Sequence, residues 1–316
     1  MKLVFCGTPS FAVPTLHALL AAGHSIPLVV TQPDRPSGRG MQLVASPVKQ
    51  AAEAAGLTVV QPEKIKTNPA FEAQLRAIAP DAIVVVAYGR IIPQWMLDLP
   101  RYGNINLHGS LLPRYRGAAP IQWAVARGET ETGNTTMLLD AGLDTGHILL
   151  SRSLPIRPAT TAQELFPQLA ELGAPLVVET LKGLEEGSLR PQPQDHLKAT
   201  LAPILTREDG RIDFSRSAAE IYHRWRGFSP WPGAWTLWHG KKLTLSEMVW
   251  PVALPFEPEQ KAEPGDVRVV ADRIFLRCGD ADWIEVCELQ LEGKKRLPSA
   301  DFLRGNPLLA GQRLGA

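Results

Sequence analysis

Residues 82–87 read Ala-Ile-Val-Val-Val-Ala, with no polar side chain among them. A run so short and so continuously apolar predicts a strand buried on both faces. Such strands belong to parallel sheets with helices packed above and below. The chain before it repeats the alternation that such a sheet requires. Residues 3–6, 26–31 and 57–60 are short apolar runs that read as strands, separated by helical patterns. The first helix runs to about residue 22, with Thr8 able to cap it, Pro9 suited to its first position and Gly23 to stop it. The second opens on Ser46-Pro47 and ends at Gly56, and a third carries residues 71–78. The fold class read from this order is α/β, a doubly wound, mostly parallel sheet. Ligands of such sheets lie beyond the carboxyl ends of the strands.

One such end is reached in residues 104–117, Asn-Ile-Asn-Leu-His-Gly-Ser-Leu-Leu-Pro-Arg-Tyr-Arg-Gly. The stretch begins as a strand and ends as a polar loop. Asn106 and His108 point to one face of an extended chain, about 6–7 Å apart. A carbonyl held between them would meet an amide donor on one side and a donor or proton shuttle on the other. An isolated pair of this kind is more often a loop amide beside a core histidine. Here it sits where a buried strand meets a loop punctuated by Gly and Pro, a place where function concentrates. Residues 110–113 add an apolar wall, closed by a proline that donates no hydrogen bond. Residues 101–127 contain Arg101, Arg114, Arg116 and Arg127 and no acid. That balance favours an anionic substrate, unless the four are solvated or cap carbonyls. Residues 140–146, Asp-Ala-Gly-Leu-Asp-Thr-Gly, form a turn between two apolar runs. Asp144 within it matters only if the fold carries it to His108.

The first strand–helix turn, Gly7-Thr8-Pro9-Ser10, lacks the glycine spacing of a dinucleotide site, and no phosphate-binding P-loop occurs. A nicotinamide oxidoreductase is therefore poorly supported. Residues 32–40, Gln-Pro-Asp-Arg-Pro-Ser-Gly-Arg-Gly, are long for a connection that usually takes about 2–6 residues. Their Pro and Gly predict an absence of regular structure. Arg35 and Arg39 make the segment cationic, and it reads equally as a surface loop or as a gripping loop that finds phosphate.

At 316 residues two domains are expected. The chain is 45% hydrophobic and 21% charged with a net charge of +1, so no bulk charge announces nucleic acid. Three scattered cysteines form no disulfide framework and no zinc spacing, and a reduced, cytoplasmic compartment is expected. No long apolar run predicts a membrane span. Residues 162–186 read as a long helix, broken near Gly173-Ala174-Pro175, and residues 187–203 read as a linker. Six of the eight tryptophans follow. A helix over 217–225 and strands over 234–238, 242–248, 267–270, 273–278 and 283–290 predict a small β-barrel. Barrels of the oligonucleotide-binding type stack bases on aromatics, although any single tryptophan here is more simply core. Residues 206–316 carry 16 basic and 16 acidic side chains, so net charge does not argue for RNA.

Residues 104–120 together with 140–146 resemble the 10-formyltetrahydrofolate-dependent formyltransferases. Residues 7–12, 32–40, 46–49, 85–93, 228–235 and 292–297 are similar to the branch of that family whose amine is carried on tRNA. The resemblance covers nearly the whole chain. It implies a Rossmann-like formyltransferase domain followed by an oligonucleotide-binding-like barrel. It implies a catalytic set of Asn106, His108 and Asp144. It implies a folate pocket of Ser110, Leu111, Leu112 and Pro113, with Val86, Ala87 and Tyr88, and a loop around Arg35 and Arg39 set against the acceptor end of initiator methionyl-tRNA. The co-substrate implied is 10-formyltetrahydrofolate, with no metal. Members often continue Gly-Arg-Gly with lysines, where this chain has Met41-Gln42, which bears on the loop's grip on phosphate. The expected layout is a catalytic domain over 1–187, a linker over 188–205 and a tRNA-binding barrel over 206–316. A monomer with no membrane partner is expected. The alternatives are formylation of a small amine, such as glycinamide ribonucleotide or an amino sugar nucleotide, and a noncatalytic RNA-binding relative.

Overall fold

The structure, a computed structural model, describes residues 1–37, 42–257, 261–309 and 311–315. By their contacts the described residues divide into two units. The first comprises Met1–Pro120, Glu131–Pro155 and Leu165–Pro203, the second Ile121–Thr130, Ile156–Glu164 and Ile204–Ala316.

The strands of the first unit are β1 (Lys2–Gly7), β2 (Ser25–Val30), β3 (Arg35–Ser37), β4 (Gln42–Val44), β5 (Val59–Val60), β6 (Ala82–Val86), β7 (Asn104–His108), β8 (Glu131–Leu138) and β9 (Ile148–Pro155). Among the described residues, seven of them form one sheet in the order β5-β2-β1-β6-β7-β8-β9. The first five run parallel and β8 and β9 are antiparallel, so the sheet is mostly parallel, as the apolar runs predict. Every side chain of β6 is buried. Val4, Cys6, Leu28, Val30, Ile83 and Val85 lie in one core cluster with Phe71, Leu75, Tyr88 and Met96. The alternate residues Leu3, Phe5, Val29, Val84 and Val86 are also fully buried, which covers the second face.

Local signals set some helix ends. Ser46 Oγ accepts from Lys49 N (3.1 Å) and caps the helix Pro47–Ala54. Thr8 does not cap. Its hydroxyl donates to Tyr88 O (3.2 Å), and the chain passes through a tight turn at Ser10–Ala12 before the helix Val13–Ala21. The helix Ala162–Glu185 is continuous through Pro167 and Pro175, not broken as the sequence suggests. Gly173 explains part of this: a Cβ there would press on Leu107 Cδ2 and Asn134 Nδ2, so glycine serves close packing rather than a break. Residues 32–44 also depart from expectation. β3 and β4 pair antiparallel, with Pro36 opposite Leu43. A two-stranded ribbon tolerates proline because its N side can face water.

In the second unit Ser217 and Glu220 form a capping box that opens the helix Ala218–Phe228. It precedes β10 (Trp235–Trp238), β11 (Lys241–Val249), β12 (Val267–Val270), β13 (Arg273–Arg277), β14 (Trp283–Leu291) and β15 (Leu297–Pro298). These form a curled antiparallel sheet in the order β10-β11-β14-β13-β12, with β15 beside β14. Trp235, Trp238 and Trp283 are buried, while Trp231 is 58% exposed.

Truncating a side chain in the doubly covered strand should cost more than removing a cap. Ile83→Ala is expected to lower stability by about 2–5 kcal/mol, and Ser46→Ala by about 1 kcal/mol. Urea unfolding followed by circular dichroism measures both. Equal losses would mean that burial of β6 does not dominate this unit.

Candidate active site

The site begins where two neighbouring strands end out of step. β6 pairs with β7 in parallel, Val85 opposite Asn106 and Val86 opposite Leu107. The chain then leaves the sheet at Ala87, whose φ of 46° turns it away. β7 runs one residue further, so His108 is paired only on its other side, with Thr135 of β8. This leaves a notch at the carboxyl edge of the sheet. Asn106 and His108 face the same way along β7.

His108 is buried, and its Nε2 lies 2.9 Å from Tyr115 O. A carbonyl can only accept, so Nε2 carries a proton in that bond. The Nδ1 edge faces Asp144, whose Oδ2 is 3.7 Å away. Asp144 lies in the turn between β8 and β9 with φ at 52°, and its Oδ2 also accepts from Gly117 N (2.8 Å). The turn is shaped by Asp140, whose Oδ1 accepts from Gly142 N (3.0 Å) and from the Thr145 hydroxyl (2.7 Å). Gly146 is required there because a Cβ would collide with Leu138 O. Asn106 is half-buried, and among the described residues no hydrogen bond engages its amide.

Ser110, Leu111, Leu112 and Pro113 follow directly. Thr135 holds this segment, donating from Oγ1 to Ser110 O (2.7 Å) and accepting from Leu112 N (3.1 Å). Ser110 Oγ donates to Arg114 O (2.7 Å). Leu112 is buried, while Leu111 and Pro113 remain part-exposed. Of the other three pocket candidates, Val86 is buried in β6 and Ala87 is exposed at its end. The Tyr88 ring packs in the core, and burial pushes its phenol well above the ordinary range. Its carbonyl accepts from Gln32 Nε2 (2.8 Å) as well as from Thr8.

The arginines differ in their surroundings. Arg116 is buried and donates to Gln194 Oε1 from Nε (3.1 Å) and Nη2 (2.6 Å), so it turns inward rather than towards a ligand. Arg101, Arg114 and Arg127 lie over the rings of Tyr102, Tyr115 and Trp123 at 5.1, 5.4 and 5.3 Å. Arg35 is exposed and donates to Gln32 Oε1 (2.8 Å). Arg39 lies outside the described residues. Burial in β1 pushes the Cys6 thiol far above the ordinary range, leaving it no nucleophilic role. Among the described residues no group of three or more His, Cys, Asp or Glu could hold a metal ion. No helix among them is long and apolar enough to cross a membrane.

Sequence reasoning missed Thr135 and Gln194. Thr135 is an ordinary strand threonine in sequence. Gln194 falls in a Pro- and Gln-rich stretch read as a linker, and no pattern marks it.

The geometry can be set beside known proteins. Residues 1–181 match the family described as formyl transferase, and residues 204–307 match the formyl transferase C-terminal domain. A relative from Acidobacterium capsulatum, named methionyl-tRNA formyltransferase, is 72% identical over 316 residues, which is 100% of both chains. The fold is similar to HypX from Aquifex aeolicus, with a TM-score of 0.62 and 20% identity. That match covers 99% of this chain, which spans about half (48%) of HypX. It is also similar to an N-formyltransferase from Helicobacter canadensis solved with folinic acid and dTDP-3-aminofucose, with a TM-score of 0.64 at 17% identity over 90% of this chain and 98% of the other.

Thr135→Val keeps the side-chain shape but strands Ser110 O and Leu112 N without their partner. A loss of about 1–3 kcal/mol is expected, with faster amide exchange at Leu112 in native-state hydrogen exchange. Unchanged exchange there would show that the 110–113 segment is held by something else.

Proposed function

The chain belongs to the formyl transferase family, and on that premise we propose that it transfers the formyl group of 10-formyltetrahydrofolate to the α-amino group of methionyl-tRNA. The observation that carries the reading is the contrast at the notch. His108 and Asp144 are each hydrogen-bonded to the protein, whereas the amide of Asn106 is engaged by nothing among the described residues. A donor held without a partner beside a paired imidazole and carboxylate suits a carbonyl that gains negative charge during reaction. Full-length identity of 72% to a relative named for this activity supports the amine chosen.

In this mechanism the amine attacks the formyl carbon, the C–N bond to folate N10 breaks, and one proton passes from the amine to N10. Asn106 donates to the oxyanion of the tetrahedral intermediate. Asp144 takes the proton of the attacking amine. His108 works through Nδ1, because Nε2 is bonded to Tyr115 O. Leu111 and Pro113 are part-exposed and Ala87 is exposed, and together they offer apolar surface for the pterin of a reduced folate. Ser110, Leu112, Val86 and Tyr88, which are buried, complete the proposed pocket as its walls. Arg35 and Arg39 contact phosphates of the tRNA acceptor end. The proposed reaction needs one chain, since Asn106, His108 and Asp144 all come from one unit.

The test is to incubate the protein with 10-formyltetrahydrofolate and either methionyl-tRNA or small amines. Formylmethionyl-tRNA is the expected product. Formylation of a glycinamide or amino sugar nucleotide with inert methionyl-tRNA would overturn the substrate, and no transfer to either would leave a noncatalytic relative.

Asn106→Ala is expected to lower kcat by roughly 10²–10³ with little change in folate affinity, because the charge exists only in the transition state. Near-normal turnover by the folded variant would remove Asn106 from the mechanism. Arg39→Ala should raise KM for methionyl-tRNA and flatten its salt dependence by one phosphate contact. Loss of folate affinity with normal tRNA kinetics would refute that assignment.

A further inference from the structure

Asp144 combines two features that do not hold themselves in place. Its backbone is in the left-handed region, which a residue with a Cβ leaves when nothing holds it there. Its carboxylate must nonetheless stay at the Nδ1 edge of His108. The restraint comes from Gln194, which is 5% exposed. Its Nε2 donates to Asp144 O (2.9 Å) and to Gly146 O (2.7 Å), bracketing the turn. An amide nitrogen has two N–H groups, and both are engaged. Its Oε1 accepts from Nε (3.1 Å) and Nη2 (2.6 Å) of Arg116, which is 6% exposed. Arg116 Nη2 also lies 3.1 Å from His196 Nδ1.

The orientation of this amide is dictated by chemistry. Flipped, it would set Oε1 against two carbonyls and its N–H groups against a guanidinium, which has no acceptor. The chain then closes a ring. Arg116 grips Gln194, and the next residue, Gly117, donates its N–H to Asp144 Oδ2 (2.8 Å). Asp144 is thus held at its main chain by Gln194 and at its carboxylate by Gly117, and both holds lead back to residues 116–117. A short stretch next to the 110–113 segment therefore sets where the carboxylate stands.

We propose that Gln194, oriented by the buried guanidinium of Arg116, is a positioning residue for Asp144 and so for proton transfer at the site. The inference rests on the role proposed above for Asp144. It gives the segment around Gln194 a part in the reaction, although that segment touches neither reacting group.

The test compares Gln194→Met, Gln194→Glu, Asp144→Asn and the double variant Gln194→Met/Asp144→Asn in the full chain, with methionyl-tRNA and 10-formyltetrahydrofolate as substrates. Met keeps the length of the side chain and loses all four bonds. Glu keeps the acceptors for Arg116 but loses both donors to the turn. Displacement of about 1 Å can cost on the order of 10²-fold in rate. Gln194→Met and Gln194→Glu are each expected to lower kcat by roughly 10- to 100-fold, with KM for either substrate unchanged within about twofold. Adding Gln194→Met to Asp144→Asn should cost almost nothing further, because the glutamine acts through the carboxylate. If Gln194→Met fails to fold by circular dichroism, Gln194→Glu decides alone, since it retains the Arg116 bonds. Wild-type kcat in a folded Gln194→Glu overturns the proposal, as does a loss confined to KM, or losses that multiply in the double variant. Those results leave Asp144's own role intact if Asp144→Asn is impaired. Full activity of Asp144→Asn would instead overturn the role of Asp144 and the positioning with it.

Discussion

A strand without polar side chains can exist only where both of its faces are dry, and β6 imposes that condition on the first unit. Its five residues are all buried, and the strands beside it must be apolar where they touch the same layers. The pairing of β6 with β7 then fixes which residue of β7 first emerges beyond the sheet. Because the chain turns away at Ala87 while β7 continues to His108, the imidazole emerges past the end of β6, with the amide of Asn106 on the same face two residues before it. A slip of one residue in that register would turn Asn106 and His108 to the opposite face and dismantle the notch.

Around the notch the hydrogen bonds are distributed unequally. The imidazole is tied to Tyr115 O, the carboxylate to Gly117 N, and the 110–113 segment to Thr135 Oγ1. Each of these bonds lowers the freedom of a group that must keep its place. The amide of Asn106 has no such tie among the described residues. A donor without a tie is free to bond a ligand, which is what the proposed role of Asn106 requires.

The second unit solves a different problem. Residues 206–316 carry equal numbers of acids and bases, and the tryptophans there mostly serve packing. Trp225 and Trp250 flank a core that includes Trp238, Phe302 and Ile274. The buried Arg226 donates to Arg157 O and Thr160 O, and Nη2 lies 2.9 Å from His223 Nδ1. Desolvation lowers the pKa of this guanidinium because its charge is held by neutral acceptors rather than by a carboxylate. This network ties the segment 156–164 into the unit, though it is distant in sequence from the helix that carries Arg226.

Much of this was legible in the residues alone. Hydrophobic runs are set by what each residue does in water, so the parallel sheet, the cap at Ser46 and the short strands after residue 230 could be read locally. Asn106 and His108 could be paired because i and i+2 share a face on any strand. Thr8 and the segment around Gly173 misled for the opposite reason: a side chain's local option was outbid by a distant partner, the Tyr88 carbonyl in one case and the close approach of Leu107 in the other. Only the tertiary structure could bring Asp144 to within 3.7 Å of His108. Only it could show that Tyr88 gives its carbonyl rather than its ring, that Arg116 points inward, and that Gln194 holds the turn that carries the carboxylate. Each of these joins residues far apart along the chain, and a hydrogen bond is decided by where atoms meet in space, which spacing in sequence does not encode.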